Sequence, residues 1–278
     1  MKQATQQIIS AVNERRFLEH LRSFFSTSTT VLAECMQNAR RAGATQVSFA
    51  YEASAATLIV TDDGQGIDDF AALVTVAESG WTQETMEDEK PFGIGFFSVC
   101  FAAGRIRVES RDKRVEFSSD DLIAKTPIAI QAGDFIDGAR VTLLGCKIDE
   151  EKIADALTRY ASGFSIPVIW QEIPLYRPCA RAGLVGKETA AGLIHVPGIH
   201  GDQDSPLFEE RGYAYCQGLP VFIPNFSYSY PPSNSRDYLV VHVDHLKYTP
   251  RMPDRDTLID AQQAAADIDN AIKQIWRA

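Results

Sequence analysis

The stretch PFGIGFFSVCFAAGRIRV, residues 91–108, places Gly93 and Gly95 on either side of one isoleucine, directly before an apolar run. Glycines there allow close backbone approach, and N–H groups at a helix start favour an anion. Glycine pairs also mark ordinary tight turns, so the stretch alone leaves a phosphate cradle and a plain corner both open. FFSVCFAA reads as a buried helix, and RIRVES, after Gly104, as a strand.

Upstream, residues 5–22 carry apolar positions at helical spacing, and STSTT at 26–30 offers N-caps for a second helix, VLAECMQNARRA, which Gly43 should end. QVSFAY and TLIVT read as strands, DDGQGIDD as a turn, FAALVTVAESG as a short helix and WTQETMEDEK as an acidic surface loop. Downstream, RVEFS, PIAIQ and RVTLLG read as strands separated by turns, and DEEKIADALTRYASGF as a helix. Pro167, Pro174 and Pro178 mark a boundary, which predicts domains at 1–166 and 167–278. In the second, GLIHVP, YAYCQGLPVFIP and DYLVVHVD look like strands. Leu258, Ala261, Ala265, Ile268, Ile272 and Ile275 line one face of a terminal helix.

At 278 residues, with 45% hydrophobic and 23% charged positions, the chain can bury two cores and is not compositionally disordered. Its net charge of -10 argues against nucleic acid or anionic lipid as a general partner. Five scattered cysteines without a CxxC pair suggest neither a zinc knuckle nor a disulfide framework. No apolar leader core and no run of about 18 apolar residues occurs, so no membrane association and a cytoplasmic location are expected.

Helical spacing sets Glu34 and Asn38 side by side, one turn apart. A carboxylate can deprotonate water, and a neighbouring amide oxygen is a hard ligand suited to Mg²⁺; two solvated helix residues would look the same. Asp62 ends a strand and opens D-x-G-x-G, where Gly64 and Gly66 permit tight backbone turns and the carboxylate could accept from an amine. AGLVGKET at 182–189 fails as a P-loop, since only two residues separate its glycines and Glu188 follows the lysine. His242, Asp244 and His245 do not share one strand face and read as ordinary polar residues.

Taken in order, ECMQNARRAGATQV (34–47), DDGQGI (62–67) and PFGIGFFSVCFAAGRIRV resemble the N, G1 and G2 boxes of the GHKL ATPases, the superfamily of gyrase, histidine kinases, MutL and the 90-kilodalton heat-shock chaperone. LVTVAESGW, GARVTLLG and EEKIADALTRYASGFSIPV resemble that chaperone most. The resemblance covers roughly residues 15–170. It implies an α+β, Bergerat-type two-layer α/β sandwich with a mixed sheet, followed here by a smaller α/β domain.

By position, the resemblance makes Glu34 the general base, Asn38 the Mg²⁺ ligand and Asp62 the acceptor for the adenine amino group. Gly66 and Ile67 would line the base pocket, with Gly64 of the same turn among the nucleotide-binding residues, and Gly93, Ile94, Gly95 and Phe96 would present backbone to phosphates beneath a lid at 68–92. YTPRMPDRDTLID (248–260) resembles the chaperone's middle-domain catalytic loop, which makes Arg255 the candidate for the γ-phosphate. Two departures stand out: Ala139 where the closing box usually has threonine, and Arg41 where the N box commonly has aspartate.

The expected activity is a slow, Mg²⁺-dependent ATPase whose lid closure controls a protein client or partner. One alternative is an ATP-gated interaction module that does not hydrolyse; another is a GHKL protein kinase, although no separate dimerisation helix bearing a phosphoacceptor histidine is evident before the N box and His20 sits in the first helix without further support. The second domain is shorter than the chaperone's remaining domains, which suggests a truncated or specialised relative. A homodimer would have to use the nucleotide domain, the first helix or the last.

Overall fold

Alternating apolar residues in QVSFAY and TLIVT generate the centre of a sheet that is buried on one side only. The computed structural model describes residues 13–21, 25, 27–76, 80, 81, 83, 93–200, 212–227, 238–252 and 254–277. Its helices are α1 (Glu14–Leu21), α2 (Thr30–Arg41), α3 (Phe70–Val74), α4 (Ser98–Ala102), α5 (Ser119–Ile123), α6 (Glu150–Ala161) and α7 (Ala261–Arg277). The first sheet consists of β1 (Val47–Glu52), β2 (Thr57–Asp62), β3 (Arg105–Phe117), β4 (Gln131–Leu144), β5 (Val168–Trp170) and β6 (Ile173–Pro174). Its spatial order is β3-β4-β2-β1-β5-β6, with β5 parallel to β1 and the other pairs antiparallel.

Register explains the single buried face. Phe49 lies opposite Val60, Leu58 opposite Leu143, and Val141 and Leu143 opposite Val108 and Ile106. Side chains on paired positions point the same way, so these residues form one apolar layer. Over it pack Val31, Leu32 and Met36 of α2, Val99 and Cys100 of α4, and Ile153 and Leu157 of α6, all in one cluster. The other face carries ion pairs such as Arg107 with Glu116 at 2.9 Å. This is the two-layer α/β sandwich with a mixed sheet.

Several local readings need correction. RIRVES and RVEFS are one strand, β3, whose register shifts around Arg111, held at φ 55°; the charged residues between them form a bulge rather than a turn. PIAIQ contributes only Gln131 to a strand, and β4 instead runs through the polar AGDFID segment. Of FAALVTVAESG, Phe70–Val74 form the helix and Thr75 ends it, while residues 77–79 lie outside the described residues. Thr29 occupies the N-cap of α2 without a side-chain cap bond, whereas Gly43, at φ 70°, does follow the helix as a left-handed stop. The first sheet also continues beyond residue 166, through β5 and β6.

The second sheet contains β7 (Lys187–Thr189), β8 (Gly192–His195), β9 (Gly212–Cys216), β10 (Leu219–Pro220), β11 (Phe226–Ser227) and β12 (Leu239–Val243). It is ordered β10-β9-β12-β8-β7, with β11 beside β9. Ile268 and Ile275 of α7 pack with Ile194, Val241 and Val243 on one face. The opposite face carries Tyr213, Tyr215 and Val240, clustered with Cys179. Tyr215 stands against Gly163, where a Cβ would collide with its ring, and its hydroxyl lies 3.0 Å from Ser162 Oγ. Leu219 joins the core cluster of the first sheet. The helix that closes the first unit is thus packed directly on the second sheet. Among the described residues, no helix is long and apolar enough to cross a membrane.

Candidate active site

Helix α2 is buried continuously from Thr30 to Gln37, so Glu34 lies on a helix with little access to water. Asn38 follows one turn later and Arg41 near the helix end, with Arg41 Nη1 3.4 Å from Asn38 Oδ1. Opposite them runs the turn Gly93–Phe96. A Cβ at Gly95 would collide with Glu34 Oε2, so only glycine lets the turn approach the carboxylate this closely. The turn is fixed from below by Ser98 Oγ, which donates to Gly95 O at 2.7 Å.

A second wall comes from the end of β2. Asp62 is in register with Val47 and Ala139, and its carboxylate accepts from the Gly64 amide at 2.9 Å. Burial raises its pKa, with the Gly64 amide opposing that rise. Cys35, beside Glu34 and Asp62, has its thiol pushed up to about 12, by burial first and by those two carboxylates second. Ser110 ties the wall together: it is fully buried, accepts from Ile67 N at 2.8 Å and donates to Gly138 O at 2.6 Å. Asp63 accepts from the amides of Thr45 and Gln46 and from the Thr45 hydroxyl.

The third wall belongs to the loop between the second sheet and α7. Arg255 Nε lies 3.0 Å from Glu34 Oε1, and both side chains are only 4% exposed. Arg255 Nη1 donates to Gln217 Oε1 at 3.1 Å. The arginine occupies a left-handed conformation, φ 57°. An observed left-handed arginine held by buried contacts marks a place of functional interest.

Between these walls is a cavity of about 200 Å³. Of the residues singled out in the sequence, Glu34, Asn38, Arg41, Gly66, Ile67, Gly93, Gly95, Phe96 and Arg255 line it. Asp62, Gly64 and Ile94 do not. Asp62 and Gly64 stand behind the wall they bond together, while Ile94 is 4% exposed and clusters with Phe97, away from the cavity. Of the segment expected to form a lid, residues 77–79, 82 and 84–92 lie outside the described residues. Asp68, Asp69, Ala72, Leu73, Gly80 and Trp81 do line the cavity.

Sequence reasoning missed Gln65, Met252 and, behind the arginine, Gln217. Gln65 lies inside the D-x-G-x-G turn and could have been found there. Met252 sits three residues before Arg255 in the same quoted loop. Gln217 had one available signal, its place before Gly218 in a two-residue turn between apolar runs.

Among the described residues no cluster of three or more His, Cys, Asp or Glu suggests a metal held by protein alone. The donors facing the cavity are hard oxygens, from Asn38, Glu34, Asp68 and Asp69. That set suits Mg²⁺, which keeps several waters and takes one or two protein oxygens together with phosphate. Asn38 fits as such a ligand because it lies beside the Gly93–Phe96 turn rather than deep in the core.

A mixed sheet covered on one face by helices, with glycine turns around a charged cavity, is an α+β two-layer sandwich, consistent with the GHKL fold. Residues 26–126 match the model of a family described as histidine kinase-, DNA gyrase B-, and HSP90-like ATPase. That segment is similar to the ATP-binding domain of the GHKL ATPases. No curated protein matches the chain.

Proposed function

We propose that this protein is a slow, Mg²⁺-dependent ATPase, nearest in design to the chaperone branch of the superfamily, with the second sheet's unit sensing nucleotide through Arg255. The observation that carries the reading is the buried meeting of Glu34 and Arg255 at the cavity wall, 3.0 Å apart. A carboxylate and a guanidinium from separate units at one cavity supply a base and a charge stabiliser for phosphoryl transfer. In that step a water oxygen bonds the γ-phosphorus as the bond to the β–γ bridging oxygen breaks. One water proton passes to Glu34, and ADP leaves with the electron pair.

The other residues have supporting roles. Gly66 and Ile67 flank the adenine base, and Asp62, behind that wall, braces it by accepting from the Gly64 amide. The Gly93–Phe96 turn presents backbone N–H groups to the phosphates. Asn38 would hold Mg²⁺, whose charge offsets that of the phosphates. Arg255 Nη2 has no acceptor among the described residues, so it is the donor a γ-phosphate can take without breaking an existing bond. Closure of residues 68–92 over bound ATP would present a changed surface to a protein partner. Such coupling requires that ATP bind the closed form better than the open one.

A second reading comes from the same ion pair. If Arg255 keeps Glu34 engaged after ATP binds, the carboxylate does not take a proton and the protein is an ATP-gated binding module. Ala139, which lacks the hydroxyl expected beside Asp62, is in keeping with that. A single-turnover assay with γ-labelled ATP decides: labelled phosphate released by the wild type and abolished by Glu34→Ala supports hydrolysis. Binding with no release supports the module, and absence of adenine-nucleotide binding sinks both.

A further inference from the structure

We infer that Gln217 is a positioning residue for Arg255, setting the direction in which its guanidinium meets the cavity and anchoring it to α2; this rests on the ATPase reading. Gln217 and Gly218 form the two-residue turn between β9 and β10, closed by the Cys216–Leu219 pair. Their φ values are 53° and 82°, the two left-handed positions that a tight hairpin of this kind demands. Glycine, asparagine and aspartate serve such positions best, and glutamine has no conformational advantage there. Its presence points to the use of its side chain.

The turn cannot drift. A Cβ at Gly218 would come within 3.2 Å of Gly163 O, and Leu219 is inserted in the core of the first sheet. The Gln217 carbonyl accepts from Gln37 Nε2 at 3.0 Å. Gln37 is fully buried on α2, and its own Oε1 accepts from Arg40 Nε at 3.0 Å. Gln217 therefore joins the same helix that carries Glu34, through its backbone.

Its side chain then acts on Arg255. A guanidinium only donates, so the atom facing Arg255 Nη1 is the amide oxygen. With Glu34 alone, bound through Nε, the guanidinium could pivot about that single hydrogen bond. A second acceptor on Nη1 fixes its plane and leaves Nη2 aimed by two contacts. The left-handed backbone of Arg255 is held by the same pair of anchors and by its amide, which donates to Arg251 O at 2.9 Å.

The turn geometry supplies a clean test. Gln217→Gly accepts the left-handed backbone and keeps the carbonyl that Gln37 uses, so it deletes only the amide side chain. ATP turnover is measured for the wild type, Gln217→Gly, Arg255→Ala, the double variant and Glu34→Ala, with melting temperatures alongside. Gln217→Gly is expected to lower kcat about tenfold, the worth of one hydrogen bond to a charged group, with KM for ATP nearly unchanged; on the melting temperature the lost acceptor of Nη1 and the relief of a left-handed glutamine act in opposite directions. In the Arg255→Ala background it should cause no further loss, because its effect runs through that arginine. An unchanged kcat, an equal loss in both backgrounds, or an Arg255→Ala variant as active as wild type overturns the inference. If Glu34→Ala and Arg255→Ala lose turnover while Gln217→Gly does not, only this role falls. If the wild type has no turnover, or Glu34→Ala retains it, the ATPase reading itself fails and this role falls with it.

Discussion

Glu34 and Arg255 stand 221 residues apart in sequence, yet their charges meet at 3.0 Å with each side chain 4% exposed. An ion pair this dry contributes little net stability against a well-packed apolar pair, but removing one partner leaves a buried charge uncompensated. We therefore predict that Arg255→Met lowers unfolding stability by about 3–5 kcal/mol, read from urea denaturation. Adding Glu34→Gln should recover part of that loss. If the double variant is as unstable as the sum of the singles, the pair is not coupled and the prediction fails.

The two close glycines separate chemistry from assembly. Gly95→Ala sets a methyl group against the Glu34 carboxylate, whereas Gly163→Ala sets one against the Tyr215 ring. Overpacking of this kind costs about 1–3 kcal/mol. Gly95→Ala should depress ATP turnover at least as strongly as it depresses stability, because the base must move. Gly163→Ala should lower the melting temperature while leaving nucleotide affinity close to wild type. Equilibrium binding of a fluorescent ATP analogue, beside thermal melts, distinguishes the two outcomes.

Ser110→Ala would strand the Ile67 amide and the Gly138 carbonyl, both tied by one buried hydroxyl. Leaving such groups unpaired costs about 1–3 kcal/mol. Because Gly66 and Ile67 line the cavity, the loss should appear in adenine-nucleotide affinity as well as stability. Ser110→Thr keeps the hydroxyl but adds a methyl beside Gly66, so titration calorimetry on both variants shows which feature matters. Unchanged affinity in Ser110→Ala would mean the wall holds without it.

Much of this was legible because its physics is local. Alternation in QVSFAY and TLIVT gave the apolar face of the first sheet, and three- and four-residue steps gave α7. The Ser118–Asp121 capping box that starts α5 was equally readable and passed unread. Arg111 misled in the other direction, since a charged left-handed residue reads as a turn but here bulges a continuous strand. Ile94 sits between two glycines that line the cavity, and nothing in its neighbours indicates that its side chain packs the other way, with Phe97. The link from Gln37 through Gln217 to Arg255 depends on one unit docking on another, and no local pattern encodes that. Arg255 itself was reached only by resemblance of its loop.

His242 gives the pH prediction. Its Nε2 donates to Cys179 O at 2.6 Å and its ring stacks on Tyr215 at 5.1 Å. Burial pushes its pKa down to about 4, with Arg181 adding to the fall and the Cys179 carbonyl and Glu188 opposing it. Above roughly pH 6.5 the imidazole is neutral in folded and unfolded chains alike, so its contribution is constant there. As pH falls from there toward 4, the unfolded chain binds a proton that the folded one refuses, and stability declines through that window by about 3 kcal/mol. Below pH 4 both forms are protonated and this group contributes no further slope. His242→Gln keeps an amide donor for the carbonyl but cannot titrate. The difference between wild type and variant in urea midpoint, followed from pH 7 to pH 4.5, should therefore shift against the wild type as acid is added. A difference that stays flat would show that His242 is not held neutral in the fold.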